Sequence, residues 1–249
     1  MEPQVLEVAP GTFAVAGSHT NFALLVDGDE ATLVDTGYPK DRALVEAAVA
    51  QVGLGLADVR SLLLTHAHVD HIGSAEWLRV AHGVPVRTHR DEAAHARGEV
   101  DQVISTGALL ARLWRPKVFG FVANAATKGA LQVERVGEVH TFADRETLDL
   151  PGGPVALHTP GHTSGHVGFH LPDRGVLLSG DALITVDVWD HRRRGPQLIR
   201  EQFNHDHAQA IASLALLEAV EAEVVVPGHG RPYRGTPAQA VEEARRHLR

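Results

Sequence analysis

The 249-residue chain has no cysteine and a single methionine. No disulfide framework can form, so nothing in the composition points to secretion. Thiolate metal ligation is excluded for the same reason. Aromatic residues are scarce, at 5%, and the two tyrosines are Tyr38 and Tyr233. Lysine occurs only at 40, 117 and 128, so the positive charge is almost entirely arginine. Basic excess is missing as well, since 31 Asp plus Glu outnumber 23 Lys plus Arg, a formal charge of −8. A general nucleic-acid binder needs a basic face, so no nucleic-acid partner is expected. No apolar run approaches about 18 residues, so no membrane-spanning helix and no membrane partner are expected. Met1-Glu2-Pro3-Gln4 has neither a basic region nor an apolar run. No signal peptide is read there, and a cytoplasmic location is the expectation.

What is abundant is histidine, with 17 residues, in a chain of ordinary hydrophobic content, 44%. That content supports a proper globular core. The length allows one large domain or two small ones. No low-complexity linker divides the chain, so residues 1–249 are read as one domain.

The first 35 residues read as short strands over 5–8, 12–16, 22–26 and 31–34, separated by Pro10-Gly11, Gly17-Ser18 and Asp27-Gly28-Asp29. Asp27-Gly28 between apolar runs predicts a hairpin. Helical spacing follows over 40–52. A buried strand over 61–64 leads into Thr65-His66-Ala67-His68-Val69-Asp70-His71. A helix is predicted over 74–81, a strand over 84–88, and a helical pattern from 91 to about 121. Residues 120–137 carry no clear pattern. In the second half, strands over 155–158, 167–170, 175–178 and 224–226 alternate with glycine loops, and helices are predicted over 206–220 and 237–248. Hairpins mixed with crossovers predict sheets sandwiched between helices.

Four strand ends deliver ligand-type residues. On an extended segment, residues i and i+2 point to the same side, so His66 and His68 can converge on one ion. Asp70 and His71 follow as the chain turns, facing a slightly different point, which suits two ions side by side. His162, Asp181 and His229 each follow an apolar strand in a glycine-containing loop, where glycine permits sharp turns and close approach. A lone histidine is more often a surface or core residue than a ligand. Four ligand-type residues within six positions at a strand end rarely arise by chance. Imidazole and carboxylate ligands suit Zn, Fe or Mn.

His66-Ala67-His68-Val69-Asp70-His71, Thr159-Pro160-Gly161-His162-Thr163-Ser164-Gly165-His166, Ser179-Gly180-Asp181 and Pro227-Gly228-His229-Gly230 resemble the motifs of the metallo-β-lactamase-fold hydrolase superfamily. Asp35-Thr36-Gly37 is similar to its early strand end. The resemblance spans essentially the whole chain. It implies an α/β fold, a four-layer αβ/βα sandwich of two mixed β-sheets flanked by helices, with a dinuclear site at one edge. By that match His66, His68 and His162 hold the first metal, Asp70, His71 and His229 the second, and Asp181 bridges them. Two divalent ions are implied, zinc first, with Mn or Fe as alternatives. Metal ions lower the pKa of bound water and polarise the substrate oxygen. Asp70 is the residue expected to orient the nucleophile and relay its proton. For Asp35, holding a ligating histidine by its other ring nitrogen and a plain strand-end turn stand level.

The substrate class is narrower than the superfamily. A bridging Asp181 without cysteine argues against the β-lactamases proper. Asp181 is followed by Ala182-Leu183-Ile184-Thr185, unlike the Gly-Cys-Gly-type segment of glyoxalase II and persulfide dioxygenases, and no tyrosine follows it as in the acyl-homoserine lactonases. His71 and His162 lie 91 positions apart, wider than the compact glyoxalase-like pattern. A largely helical insert at about 91–140 is therefore read. Its Leu109, Leu110, Leu113, Trp114, Val118, Phe119 and Phe121 suggest an apolar lid, a packed decoration or a homodimer contact. Arg192-Arg193-Arg194 is either an attractor for an anionic group or a solvated loop. Tyr38 and Tyr233 each follow a motif loop, with packing favoured over a site role. His19, His166, His191, His205 and His207 lie near the motifs. The expected activity is a metal-dependent hydrolase using hydroxide on a small-molecule ester, thioester or lactone carbonyl. The alternatives are a phosphodiesterase-type hydrolase and a mononuclear iron oxygenase of the same fold.

Overall fold

In the computed structural model, residues 3–102, 111–112, 114–190 and 192–248 are described. The apolar positions Val103, Ile104, Leu109, Leu110 and Leu113, and His191, lie outside the described residues. The chain opens as an antiparallel meander, β1 (Gln4–Ala9), β2 (Thr12–Ala16), β3 (Asn21–Asp27) and β4 (Glu30–Val34). The β3–β4 hairpin closes through Gly28-Asp29, with Asp27 paired to Glu30 and Gly28 at φ +60°. Only glycine enters that region freely, which is why the turn falls there. Helix α1 (Arg42–Gln51) crosses to β5 (Val59–Leu63), α2 (Ala75–His82) to β6 (Val86–His89), and β7 (His140–Phe142) completes a seven-stranded sheet in chain order. From β4 onward these strands are parallel.

The second sheet contains β8 (Val155–His158), β9 (Val167–Leu171), β10 (Val176–Gly180), β13 (Val224–Pro227) and β14 (Tyr233–Arg234), in the order β14-β13-β10-β9-β8. β11 (Ile184–Val186) and β12 (Arg194–Gln197) form a separate ribbon that the sequence pattern did not predict. Helices α5 (His207–Glu218) and α6 (Pro237–Arg246) flank this half.

Strand alternation sorts the side chains into three cores. Leu24, Leu33 and Leu62 pack outward on Val45, Ala48, Val49 and Leu78 of α1 and α2. Their chain neighbours Ala23, Leu25, Val34 and Leu63 face inward and meet Ala156, Phe169, Val176, Leu178 and Val226 of the second sheet. Leu157, Leu177 and Val225 face the far side, against Leu214, Leu217, Val241 and Ala244 of α5 and α6. Helix, sheet, sheet and helix thus stack as four layers, as expected, because period-2 strands buried on both faces read as continuous apolar runs. Among the described residues, no helix is long and apolar enough to cross a membrane.

Over 91–121, where a helical pattern was read, the described residues include two α-helices. These are α3 (Ala93–Ala96) and α4 (Pro116–Thr127). Gly98, at φ +75°, turns the chain out of the helical region after α3. The run continues beyond Phe121 to Thr127 because Val118 is buried and Ala125-Ala126 are good helix formers.

β4 and β5 run parallel in the first sheet, and β8, β10 and β13 run parallel in the second. Their carboxyl ends feed Asp35, the 65–71 loop, His162, Asp181 and His229 respectively, and these meet at one edge of the sandwich. Phe169 is fully buried between the sheets beside Phe142. Phe169→Ala is expected to lower the unfolding free energy by about 3–5 kcal/mol, measured by urea denaturation.

Candidate metal centre

Asp181 leaves β10 at 3% exposure, surrounded by imidazoles. His229 Nε2 stands 3.1 Å and His162 Nε2 3.6 Å from its Oδ2, and His71 Nε2 lies 3.5 Å from its Oδ1. His66 and His162 approach Nε2 to Nε2 at 3.2 Å. His229 Nε2 is 3.5 Å from Asp70 Oδ2. The seven residues singled out in the sequence fall into overlapping groups whose donor atoms lie within 4.8 Å. These are His66, His68 and His162; Asp70, His71 and His229; and His66, His71 and Asp181.

The outer nitrogens show which way each imidazole presents its lone pair. His71 Nδ1 donates to Asp35 Oδ2 at 2.8 Å, and His229 Nδ1 donates to the His19 carbonyl at 2.9 Å. His162 Nδ1 donates to Asn204 Oδ1 at 3.2 Å, and His68 Nε2 donates to the Gln102 carbonyl at 2.9 Å. Thr65 Oγ1 spends its only hydrogen on Asp35 Oδ2 at 2.7 Å. It therefore accepts from His66 Nδ1 at 3.0 Å. Each of the five rings has one nitrogen fixed as a donor to the protein, so the inner nitrogen is the one that a cation can take as a ligand, displacing a proton where one is held. Two lone pairs facing each other at 3.2 Å repel, and His71 Nε2 and Asp181 Oδ1 are buried without a hydrogen-bond partner. Burying such atoms is costly unless something binds them. A cation among them meets every one of these demands, so the donor set fits a metal centre.

The protonation pattern divides the cluster. Burial, then the neighbouring imidazoles, hold His66 and His162 well below the ordinary histidine value. His68 is lowered by burial and by His95. Burial opposes charge on His71 too, but Asp181 and Asp35 on its two nitrogens hold it well above that value. His229 is raised despite burial by Asp181 and Asp70. Asp181 is held far below the carboxylate range, against its burial, by His229 and His71.

A second ring of side chains holds this one. Asp35 takes both the amide and the hydroxyl of Thr65 besides His71. It is a turn residue and a histidine-holding residue at once, at φ +61°, a conformation costly for most side chains but tolerable for Asp. Glu92, fully buried, accepts from the Ala67 and Gly165 amides, the Thr163 hydroxyl and His95 Nδ1. It ties the 65–71 loop to the His162 loop, and against the cost of burial these bonds lower its pKa. His207 Nδ1 accepts from Asn204 Nδ2 at 2.9 Å, which turns the Asn204 oxygen toward His162. His166 Nε2 accepts the Asp181 amide at 3.0 Å. Gly228 lies so near that a Cβ there would strike Asp181 Oδ1. Asn21 secures the same loop through the carbonyls of Pro227 and Gly230.

Glu92, Asn204 and Gln102 escaped sequence reasoning, since no motif surrounds them. His166 carried a signal, closing the same Thr159–His166 motif that contains His162. His205 gives its backbone amide to the His162 carbonyl. Tyr38 is 4% exposed, and burial with the charges of Asp70, Asp41 and Asp181 keeps its phenol protonated. Tyr233 donates to Glu243 at 3.0 Å and lines an open groove of about 410 Å³ with Thr185, Arg194, Gly230 and Arg231. Arg193 is engaged through its backbone with Asp187 and Asp190. Phe121 of α4 meets Trp189 and Phe203 at ring distances of 6.5 and 5.5 Å, so α4 is docked on the loops that follow Asp181 and precede Asn204.

The profile of the Metallo-beta-lactamase superfamily matches residues 15–229, and the chain belongs to that superfamily. It is 28% identical over 216 residues to the probable metallo-hydrolase YflN of Bacillus subtilis, covering 82% of this chain and 76% of that protein. The crystal structure of the metallo-beta-lactamase family protein TTHA1429 from Thermus thermophilus superposes with a TM-score of 0.71 at 28% identity, over 97% of this chain and 80% of that one. TTHA1623, solved in a di-iron-bound form, superposes with a TM-score of 0.62 at 27% identity, over 92% of this chain and 96% of that one. Fold, family and donor set place the chain among metal-dependent hydrolases.

Asp35→Asn keeps a residue that tolerates positive φ but removes one carboxylate oxygen. Metal affinity is expected to fall about 10–100-fold with the fold retained, measured by competition with a chelator. His166 is pushed down to about 4 by burial. The unfolded chain binds this proton from pH 6.5 downward and the folded one does not until about 4, so stability falls as pH drops through that window. The metal-free His166→Gln variant should lack this loss, about 3 kcal/mol by pH 4, in paired urea titrations.

Proposed function

We propose that this chain is a dinuclear metal-dependent hydrolase acting on a small ester, thioester or lactone carbonyl. The observation that carries the reading is the set of five imidazoles, each with one nitrogen fixed by the protein and the other turned into the cluster that holds Asp181. His66, His68 and His162 would hold one divalent ion, Asp70, His71 and His229 the other, with Asp181 between them. Zinc is the first choice, and the di-iron form of TTHA1623 supports iron as the alternative. Such ions supply a hydroxide at neutral pH and polarise the substrate oxygen.

The protein's own part begins with Asp70. The Thr20 hydroxyl donates to its Oδ2 at 3.0 Å, and its side chain stays 17% exposed at the mouth of the cluster. Oδ1 is left to orient a water, take its proton and pass it to the leaving group. Trp189, Phe203 and Phe121 form an apolar wall beside the loop of Asn204, with the Arg200 guanidinium 5.4 Å from the Trp189 ring. The apolar portion of the substrate would rest there, with α4 as its outer side. A phosphodiester is the second reading, favoured by the groove that carries Arg194 and Arg231 beside Gly230.

A panel of thioesters, lactones, phosphodiesters and β-lactams, run on protein loaded in turn with Zn, Mn or Fe, tests both. Carbonyl esters or lactones should turn over fastest. His68→Ala should lower that rate by more than about 100-fold, with less metal bound and an unchanged circular dichroism spectrum. Full turnover in that variant would refute the site.

A further inference from the structure

Tyr38 follows Asp35-Thr36-Gly37, the strand end that holds His71, and the chain around it is pinned to the 71–73 turn. The Thr36 amide and hydroxyl both donate to the His71 carbonyl, at 2.9 and 3.0 Å, and the Gly73 amide donates to the Gly37 carbonyl at 3.0 Å. A Cβ on Gly73 would strike the Tyr38 backbone. On another side, the Lys40 amide donates to the Lys128 carbonyl at 3.1 Å, just past the end of α4. Asp41 accepts the Tyr38 amide at 3.0 Å and also the Ser18 hydroxyl, which brings in the 17–20 turn. Thr20 of that turn holds Asp70. Tyr38 therefore stands in the corner between the Asp70 turn, the 17–20 turn and the end of α4.

The ring is packed, and the hydroxyl is left open. Tyr38 is only 4% exposed, yet its Oη has no hydrogen-bond partner among the described residues. It is not one of the sealed atoms either, so the little surface the residue keeps includes the hydroxyl. A buried tyrosine ordinarily finds a partner for its O–H, and an unpaired donor in such a place is a cost that a ligand can recover. Burial comes first among the influences on the phenol, followed by the charge of Asp70, then those of Asp41 and Asp181, and all of them push its pKa up. Asp41 is tied to the backbone of the same residue. A phenol that responds more to Asp70 is turned toward the mouth of the cluster, where the Asp70 side chain is 17% exposed.

We propose that Tyr38 is a catalytic residue whose phenol donates a hydrogen bond to the substrate oxygen that gains negative charge during hydrolysis, while Asp70 orients the attacking water. This rests on reading the Asp181 centre as a hydrolase of carbonyl esters. The proton stays on Oη throughout, so the group acts as a fixed dipole aimed at developing charge. A neutral donor suits the position. A lysine or arginine there would pair with Asp70 or Asp181 and compete for the carboxylates, whereas a phenol keeps its hydrogen for the substrate.

The test is Tyr38→Phe in the zinc-loaded full chain, which keeps the ring and removes only the hydroxyl. With the fastest ester or lactone, kcat is expected to fall about 100-fold. KM, bound metal and the urea midpoint should stay at the wild-type values, since no hydrogen bond inside the protein is lost. An alkyl phosphonate, a tetrahedral anion that imitates the attacked carbonyl, should bind the variant at least about tenfold more weakly by calorimetry. A rate and a phosphonate Kd equal to those of wild type would overturn the proposal. So would a loss of rate that comes with less bound metal or a lower urea midpoint, because Tyr38 would then be part of the scaffold. Absence of ester and lactone turnover in wild type would instead sink the reading of the Asp181 centre, and the phosphonate titration then decides on Tyr38 by itself.

Discussion

The buried carboxylate of Asp181 is the constraint around which the rest is arranged. An anion in the interior is costly unless it is paired, and here three imidazole nitrogens stand within 3.6 Å of it. Those imidazoles are themselves committed outward, to Asp35, Asn204 and the His19 carbonyl. Neither the carboxylate nor the rings can relax alone. The strand order serves the same demand, because five parallel strand ends release their loops at one edge and bring these groups together within a few ångströms.

Two further carboxylates brace the arrangement from either side. Asp35 joins the ends of β4 and β5 and fixes His71. Glu92 joins the 65–71 loop to the loop of His162 by four accepted hydrogen bonds. Each is buried and hydrogen-bonded several times over, so the cluster rests on a polar network in which His71 Nε2, Asp181 Oδ1 and His95 Nε2 are buried atoms without a hydrogen-bond partner.

Much of this was legible in the sequence, for identifiable reasons. Strands 61–64, 175–178 and 224–226 read as nearly unbroken apolar runs, and His66, Asp181 and His229 follow them within three residues. The ligand-type residues sit at those ends, so strand and site announce each other. Asp35 was half-read, since a strand-end aspartate has a local role whether or not a histidine meets it. Glu92, Asn204 and Gln102 were invisible because their work depends on partners far along the chain, and nothing in their neighbourhoods marks them. The helical pattern read over 91–121 did not show where Gly98, at positive φ, ends α3. The β11–β12 ribbon is short and depends on contacts with the 229–231 loop, through Thr185.

The separation of the seven residues along the chain bears on how the protein reaches its working state. His66 and His162 touch across 96 positions, and His229 reaches the His19 carbonyl across 210. Contacts of such sequence separation close late and slowly, because the entropy of bringing distant segments together must be met first. The first sheet supplies four of the residues and the second supplies three, so neither half alone assembles the cluster. The cluster therefore arrives with the docking of the two sheets, and a chain stalled before that step carries the seven residues without bringing them together.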